Sequence, residues 1–513
     1  MKVNFIRLLL VLVALPASAF ASPADTNAQA GEGALLTPAP SSAPRVNGPK
    51  VYGIRPGSPF LYRIPCTGLR PLVFRARDLP AGLALNPQSG IITGKIARAG
   101  NYQMTFFAQN SAGVGQRDFR IEVGDRLALT PPMGWNSWYI HYTHVTELTL
   151  RHAADAMIAS GMVDYGYQYV NSDDGWNVKP GANDSATANP TRDARGNLLP
   201  NKNFPDIKGM VDYIHAQGLK AGIYISPGPK TCAGFAGSWG HEAADARRFA
   251  GWGFDFLKYD WCSYGDHAVT NTLTYFQEPY RVMSAELQKQ PRDLVFNLCQ
   301  YGMADVWKWG GELGQCWRTT GDLGLEHDTD LPGFYHIAFR NAKLADYARP
   351  GAWNDPDYLL LGWIGGWHGS HPTTLTHDEQ YSYMSLWALM AAPLIFSGDM
   401  DKLDAFTLNV LCNAEVIDVD QDPLGRQGRI ARQTPEEYVL VRELADGSRA
   451  VGLFNLSTKP RTVSVALAAI GMSGHPLVRD VWRQRDLGPC PGELRAEIPR
   501  HGVQLVRLIP DTH

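Results

Sequence analysis

From residue 127 onward one pattern recurs: apolar residues at helical spacing, a glycine, then a short unbroken apolar run that ends on polar residues. Leu150, Ala153, Ala154, Met157 and Ile158 share one helical face, and Gly161 stands where such a helix is capped. The run "YQYVNSDDGW" follows. The cycle returns with Ile207, Met210, Val211, Ile214, Gly218 and "KAGIYIS", and again with Phe249, Gly253 and "FDFLKYDWC". "PPMGWNSW" opens the series, and "LVFNLCQYG", "CWRTTGDLG", "GAWNDPDYLLLG" and "PLIFSGDM" continue it. That makes eight candidate strands separated by helical stretches. Strands buried on both faces read as continuous apolar runs, so the pattern predicts a (β/α)8 TIM barrel. An open doubly wound sheet is the alternative, but no G-x-G-x-x-G or P-loop follows the first strand.

The flanks have a different rhythm. Between 49 and 125 the short β-prone runs "FLYRI", "LVFRA", "GIITG", "YQMTFFAQ" and "FRIEV", broken by Pro and Gly, predict a small β-sandwich. After Gly425 the alternating segments "EYVLVREL", "RAVGLFNL", "RTVSVAL" and "GVQLVRLI" predict a terminal antiparallel sandwich. Residues 22–48, rich in Ala, Pro, Ser and Gly, read as a linker. At the start, Lys2 and Arg7, the run "LLLVLVAL" and Ala19-Phe20-Ala21 have the form of a secretory leader cleaved after Ala21. The expected plan is therefore a leader (1–21), a linker (22–48), an Ig-like sandwich (49–125), a barrel carrying the chemistry (126–425) and a C-terminal sandwich (426–513).

Composition narrows the function. The chain has 513 residues, 44% of them hydrophobic, enough for several cores. A net charge of −3 and the lack of a long basic run give no footprint for nucleic acid. No run after the leader approaches the roughly 18 apolar residues a membrane span needs, so no membrane partner is expected. Fourteen Trp and 21 Tyr suit a neutral substrate such as sugar, on which aromatic faces stack. Seven cysteines in an oxidising compartment allow up to three disulfides and leave one thiol over.

Chemistry gathers at the strand ends: Trp135, Asp173 with Asp174, Tyr224, Lys258 with Asp260, Gln300, Arg318 with Asp322, and Asp355 with Asp357. In a barrel those ends form the reactive face, whereas a cation and a carboxylate in mid-core would be costly. With no H-E-x-x-H, no C-x-x-C and scattered His, neither a metal nor a cofactor is expected. Several carboxylates with one cation suit glycoside hydrolysis, in which one carboxyl attacks the anomeric carbon and another protonates the departing oxygen.

The motifs "PPMGWNSW", "SDDGW", "KTCAGFAGSWG", "LKYDWC", "WRTTGD", "WNDPDYLLLG" and "QDPLG", in this order between 131 and 425, resemble the family 27 glycoside hydrolases, the α-galactosidase and α-N-acetylgalactosaminidase family. The phrase "LPAGLALNPQSGIITGKIARAGNYQMTFFAQNSAG" resembles the Ig-like repeats found beside secreted bacterial enzymes, which bind carbohydrate or hold domains apart. The family resemblance implies a secreted retaining α-galactosidase acting on terminal galactosyl residues. It makes Asp260 the nucleophile and Asp322, four places after Arg318, the acid/base. It further implies sugar contacts from Trp135, Asp173, Asp174, Tyr224, Lys258 and Arg318, and a disulfide between Cys232 and Cys262. Well-known members have Cys-Glu-Trp where this chain has "CQYG", so Gln300 is the expected partner of the sugar's 2-hydroxyl, and the bulk of Tyr301 argues against an acetamido group there. β-L-arabinopyranosidase and α-N-acetylgalactosaminidase activity within the family, and a non-catalytic galactoside-binding barrel, are the alternatives. Cys299 and Cys316 flank neighbouring strands and could pair, while Cys66, Cys412 and Cys490 have no evident partner.

Overall fold

Every one of the eight apolar runs becomes a strand. The computed structural model describes residues 34–511 except 189, 267–271, 325–329 and 366–368, so the leader lies outside the described residues. The barrel strands are β1 (Met133–Asn136), β2 (Tyr169–Asn171), β3 (Lys220–Ile225), β4 (Phe256–Asp260), β5 (Val295–Cys299), β6 (Cys316–Arg318), β7 (Trp353–Asp355) and β8 (Leu394–Phe396). Strands β1 to β7 pair in parallel in chain order, and β8 pairs in parallel with β1. The last seam is closed by Leu359 just beyond β7: its N–H bonds the Ile395 carbonyl at 2.8 Å and its carbonyl accepts from Ser397 at 3.0 Å.

Helices wrap the strands: α1 (Glu147–Ala159), α2 (Ile207–Ala216), α3 (Glu242–Trp252), α4 (Leu273–Gln288), α5 (Gly333–Ala342), α6 (His377–Leu389), α7 (Ala405–Leu411) and α8 (Ala414–Asp420). The apolar face read at the first of these is the buried one, and α3 ends on Gly253 at φ 97°, a left-handed cap that other residues adopt only at a cost. One expected helical stretch is missing. Between β5 and β6 the chain makes short 3-10 turns (Met303–Lys308 and Gly310–Glu312), and Ala304 and Asp305 in the first take left-handed backbone that a right-handed helix does not carry. A Cβ on Gly314 would lie 2.3 Å from Leu298 and 2.7 Å from the Phe296 carbonyl.

Strand alternation sorts the side chains. Leu257, Tyr259, Phe296, Leu298 and Trp317 face the helices in the main core. Tyr169, Phe256, Val295, Cys316 and Trp353 form a separate apolar plug. Two residues further along their strands stand Asn171, Lys258, Asn297, Arg318 and Asp355. The barrel interior is therefore apolar at the N-terminal ends of the strands and polar toward the C-terminal ends, where Asn297 donates to Asp355 at 2.7 Å.

The N-terminal module has a four-stranded sheet (51–54, 113–123, 100–110 and 73–77) and a three-stranded one (59–63, 91–95 and 83–85) over a core including Phe60, Tyr62, Phe106 and Phe119. It is docked on the barrel face opposite the polar layer. Arg55 pairs with Asp293 and donates to the carbonyls of Gln288, Gln290 and Arg292. Lys220, the first residue of β3, is buried between the rings of Tyr52 and Tyr169, and burial pulls its ammonium down to about 8. Residues 34–48, which composition reads as linker, lie on the barrel too: Thr37 exchanges hydrogen bonds with Asn409, and Arg45 pairs with Asp418. The C-terminal domain is a six-stranded antiparallel sheet beside a two-stranded one, fixed to α6 and α8 by buried Arg442, which donates to the carbonyls of Ala388 and Asp420. Among the described residues no helix is long and apolar enough to cross a membrane.

Candidate active site

The polar layer converges on Asp260. As the last residue of β4 it is 6% exposed, and two phenols hold its carboxylate: Tyr301 donates to Oδ1 at 2.5 Å and Tyr224 to Oδ2 at 3.0 Å. Burial pushes the carboxyl above its ordinary range, Lys258 and the Tyr301 hydroxyl pull it down, and the negative charges of Asp173 and Asp322 add to the rise.

Lys258 sits two residues earlier on the same side of β4. Its ammonium lies 2.8 Å from Asp173 Oδ2 and over the rings of Tyr224 and Tyr358, at 5.2 and 5.0 Å. Burial pulls its ammonium down, but the negative groups around it, Asp173 foremost and Asp260 among them, together outweigh burial and hold it above the ordinary lysine range. Asp173 also accepts from the Tyr358 hydroxyl at 3.3 Å and from the Asp174 N–H at 2.9 Å. Its neighbour Asp174 is 1% exposed; one oxygen accepts from the Ala233 N–H at 2.9 Å and the other has no partner. Burial pushes Asp174 up to about 7. Space for β2 comes from Gly222 on β3, where a Cβ would lie 2.0 Å from Asn171 Oδ1.

On β6, Arg318 bridges two acids. It donates to Asp357 Oδ2 at 2.9 Å and Asp322 Oδ1 at 3.2 Å, with the Gly321 carbonyl at 2.8 Å. Asp357 is buried, whereas the Asp322 side chain is 67% exposed; the two candidate reacting carboxyls, buried Asp260 and exposed Asp322, thus occupy opposite environments. Trp135 is fully buried with its indole N–H on the Gly398 carbonyl at 2.9 Å. Gln300 is fully buried as well, neither amide atom having a partner, and it bonds none of the other site residues.

Cys232 and Cys262 form a disulfide, its sulfurs within 3.8 Å of the Tyr301 hydroxyl and 3.6 Å of the Tyr224 hydroxyl. Cys66, Cys299, Cys316, Cys412 and Cys490 are unpaired and buried. Two contributors escape a reading by strand ends alone: Tyr301, as a donor to Asp260, and Tyr358, as a donor to Asp173. Tyr301 and Tyr358 adjoin flagged positions, Gln300 and Asp357, and that adjacency was the available signal.

Comparison with known proteins bears on all three parts of the chain. The family described as Alpha galactosidase A matches residues 130–422, the Alpha galactosidase C-terminal beta sandwich domain matches 436–508, and an Ig domain family matches 43–124. An α-galactosidase of Cyamopsis tetragonoloba is 39% identical over 389 residues, spanning 75% of this chain and 87% of its own. Alpha-galactosidase 2 of Arabidopsis thaliana is 37% identical over 394 residues, covering 76% and 92%. A crystal structure from Bacteroides fragilis superposes with a TM-score of 0.84 at 36% identity, covering 92% of this chain and 99% of that one, the N-terminal module included. The chain belongs to the α-galactosidase family of glycoside hydrolases, family 27.

Proposed function

We propose that the protein is an exported retaining exo-glycosidase that removes terminal α-D-galactosyl residues by double displacement. The observation that carries the reading is the pairing of a buried, phenol-bound, lysine-flanked carboxylate, Asp260, with an exposed carboxyl, Asp322, held on Arg318 at the same end of the barrel. An oxygen of Asp260 attacks the anomeric carbon while the glycosidic bond breaks, and the proton of Asp322 passes to the departing oxygen. Asp322 then takes a proton from water, which attacks the same carbon, breaks the ester and returns Asp260 as carboxylate. Two inversions release α-galactose first. Asp173, Asp174 and Lys258 are the groups that accept and donate to the ring hydroxyls, and the unpartnered oxygen of Asp174 supports this role. Export rests on the leader at 1–21, and N-terminal sequencing of the released chain is expected to begin at Ser22.

The reading is tested on nitrophenyl α-D-galactoside, α-N-acetylgalactosaminide and β-L-arabinopyranoside. The galactoside should give the highest kcat/KM. Binding without turnover would instead support a galactoside-binding barrel, and preference for the pentoside an arabinopyranosidase.

A further inference from the structure

The strand-end contacts leave one strong interaction without a role. Tyr301, just past β5, makes the shorter of the two side-chain hydrogen bonds to Asp260 and lies under the Arg318 guanidinium, 5.8 Å from its ring centre. Its backbone is in the left-handed region at φ 62°, unfavourable for an aromatic residue, and Gly302, Ala304 and Asp305 after it share that region. Such a conformation persists only where the surroundings hold it. Here the surroundings are Asp260 on one side, Arg318 on another and the Cys232 sulfur at 3.8 Å.

We propose that Tyr301 is a positioning residue that keeps the Asp260 carboxylate ionised and aimed, and ties it through Arg318 to Asp322. This rests on the reading of Asp260 as nucleophile. The charged groups around Asp260 do not make the phenol redundant. Lys258 favours the ionised form, but its hydrogen bond is given to Asp173. The charges of Asp173 and Asp322 oppose ionisation, as does that of Asp174. Arg318 donates to Asp357, Asp322 and the Gly321 carbonyl rather than to Asp260, and the Cys299 thiol and Tyr280 phenol stay neutral, pushed up by burial. Among the described residues, Tyr224 and Tyr301 are the side chains that donate to Asp260.

Tyr301→Phe keeps the ring under Arg318 and removes one hydroxyl. Losing a donor to the ionised form raises the carboxyl's pKa, and activity needs that form, so on acidification activity should begin to fail at a less acidic pH. On nitrophenyl α-galactoside the acid limb of kcat/KM should move up by about one pH unit, the worth of one hydrogen bond to a charged group. The position of the limb does not depend on the fraction of enzyme folded, so a poorly folding variant still reports. A limb unmoved from wild type overturns the proposal, whatever the plateau. Asp260→Ala separates the two levels: if it turns over normally, the nucleophile reading fails, and if it is dead while the Tyr301→Phe limb stays put, the positioning role alone fails.

Discussion

Lys258→Met deletes the cation of β4 while keeping most of its length and packing. The ammonium lies 2.8 Å from Asp173, with side chains 10% and 2% exposed. At an effective dielectric of about 20 that separation gives a gross attraction of about 6 kcal/mol. Desolvation offsets much of it, and removing one partner of a buried pair typically costs about 3–5 kcal/mol because the other charge is stranded. Asp173 would keep the Tyr358 hydroxyl and the Asp174 N–H but lose its counter-charge. The sign with pH follows from the lysine: its folded pKa lies above the ordinary lysine range, so the pair's contribution is present at neutral pH and is lost only as pH rises through that folded value. Urea unfolding at pH 7 should therefore show the full loss. Adding Asp173→Asn removes the stranded charge, and the double variant should recover at least about 2 kcal/mol relative to the sum of the single changes. Activity should not recover, because Asp260 still lacks the ammonium that favours its ionised form. Additivity within about 0.5 kcal/mol would refute the claim that the pair is coupled.

Asp322→Asn should depend on the leaving group: on raffinose-like substrates turnover should fall by about 10²–10⁴-fold, and on the nitrophenyl galactoside much less, since nitrophenolate departs without a proton. Equal losses on both substrates would count against its acid role. Arg55→Ala removes the Asp293 ion pair and three carbonyl contacts, which should weaken docking of the N-terminal module by about 2–4 kcal/mol and lower its calorimetric transition while leaving turnover at low temperature intact. An unchanged melting profile would mean that these contacts do not hold the module.

The alternation in "FLKYD" made much of this site legible. Lys258 and Asp260 had to share one side of a buried strand, and the structure puts them in the polar layer above the Phe256 plug. The strands were readable because burial on both faces gives short unbroken apolar runs, set apart by the glycine before them and the polar residues after them. The stretch between β5 and β6 was not, since the close approach of Gly314 to Leu298 and Phe296 is a tertiary contact, which leaves no periodic trace. Gln300 was marked by its place after β5, but the side chain that reaches Asp260 belongs to Tyr301, and a left-handed backbone at that point redirects the chain in a way alternation does not encode. The docking of the N-terminal module was hidden for a related reason. Arg55 and Lys220 look like surface charges in sequence, and only their partners on the other domain show them to be part of an interface.

The central claim is that Asp260 forms a covalent bond to the sugar. Treatment with 5-fluoro-α-D-galactosyl fluoride tests it most directly, since ring fluorine slows both steps while fluoride leaves without acid help. Peptide mass spectrometry should then find one fluorogalactosyl unit on the peptide containing Lys258-Tyr259-Asp260, bound through the Asp260 side chain. A label on another carboxylate, or inactivation with no covalent adduct, would contradict the account.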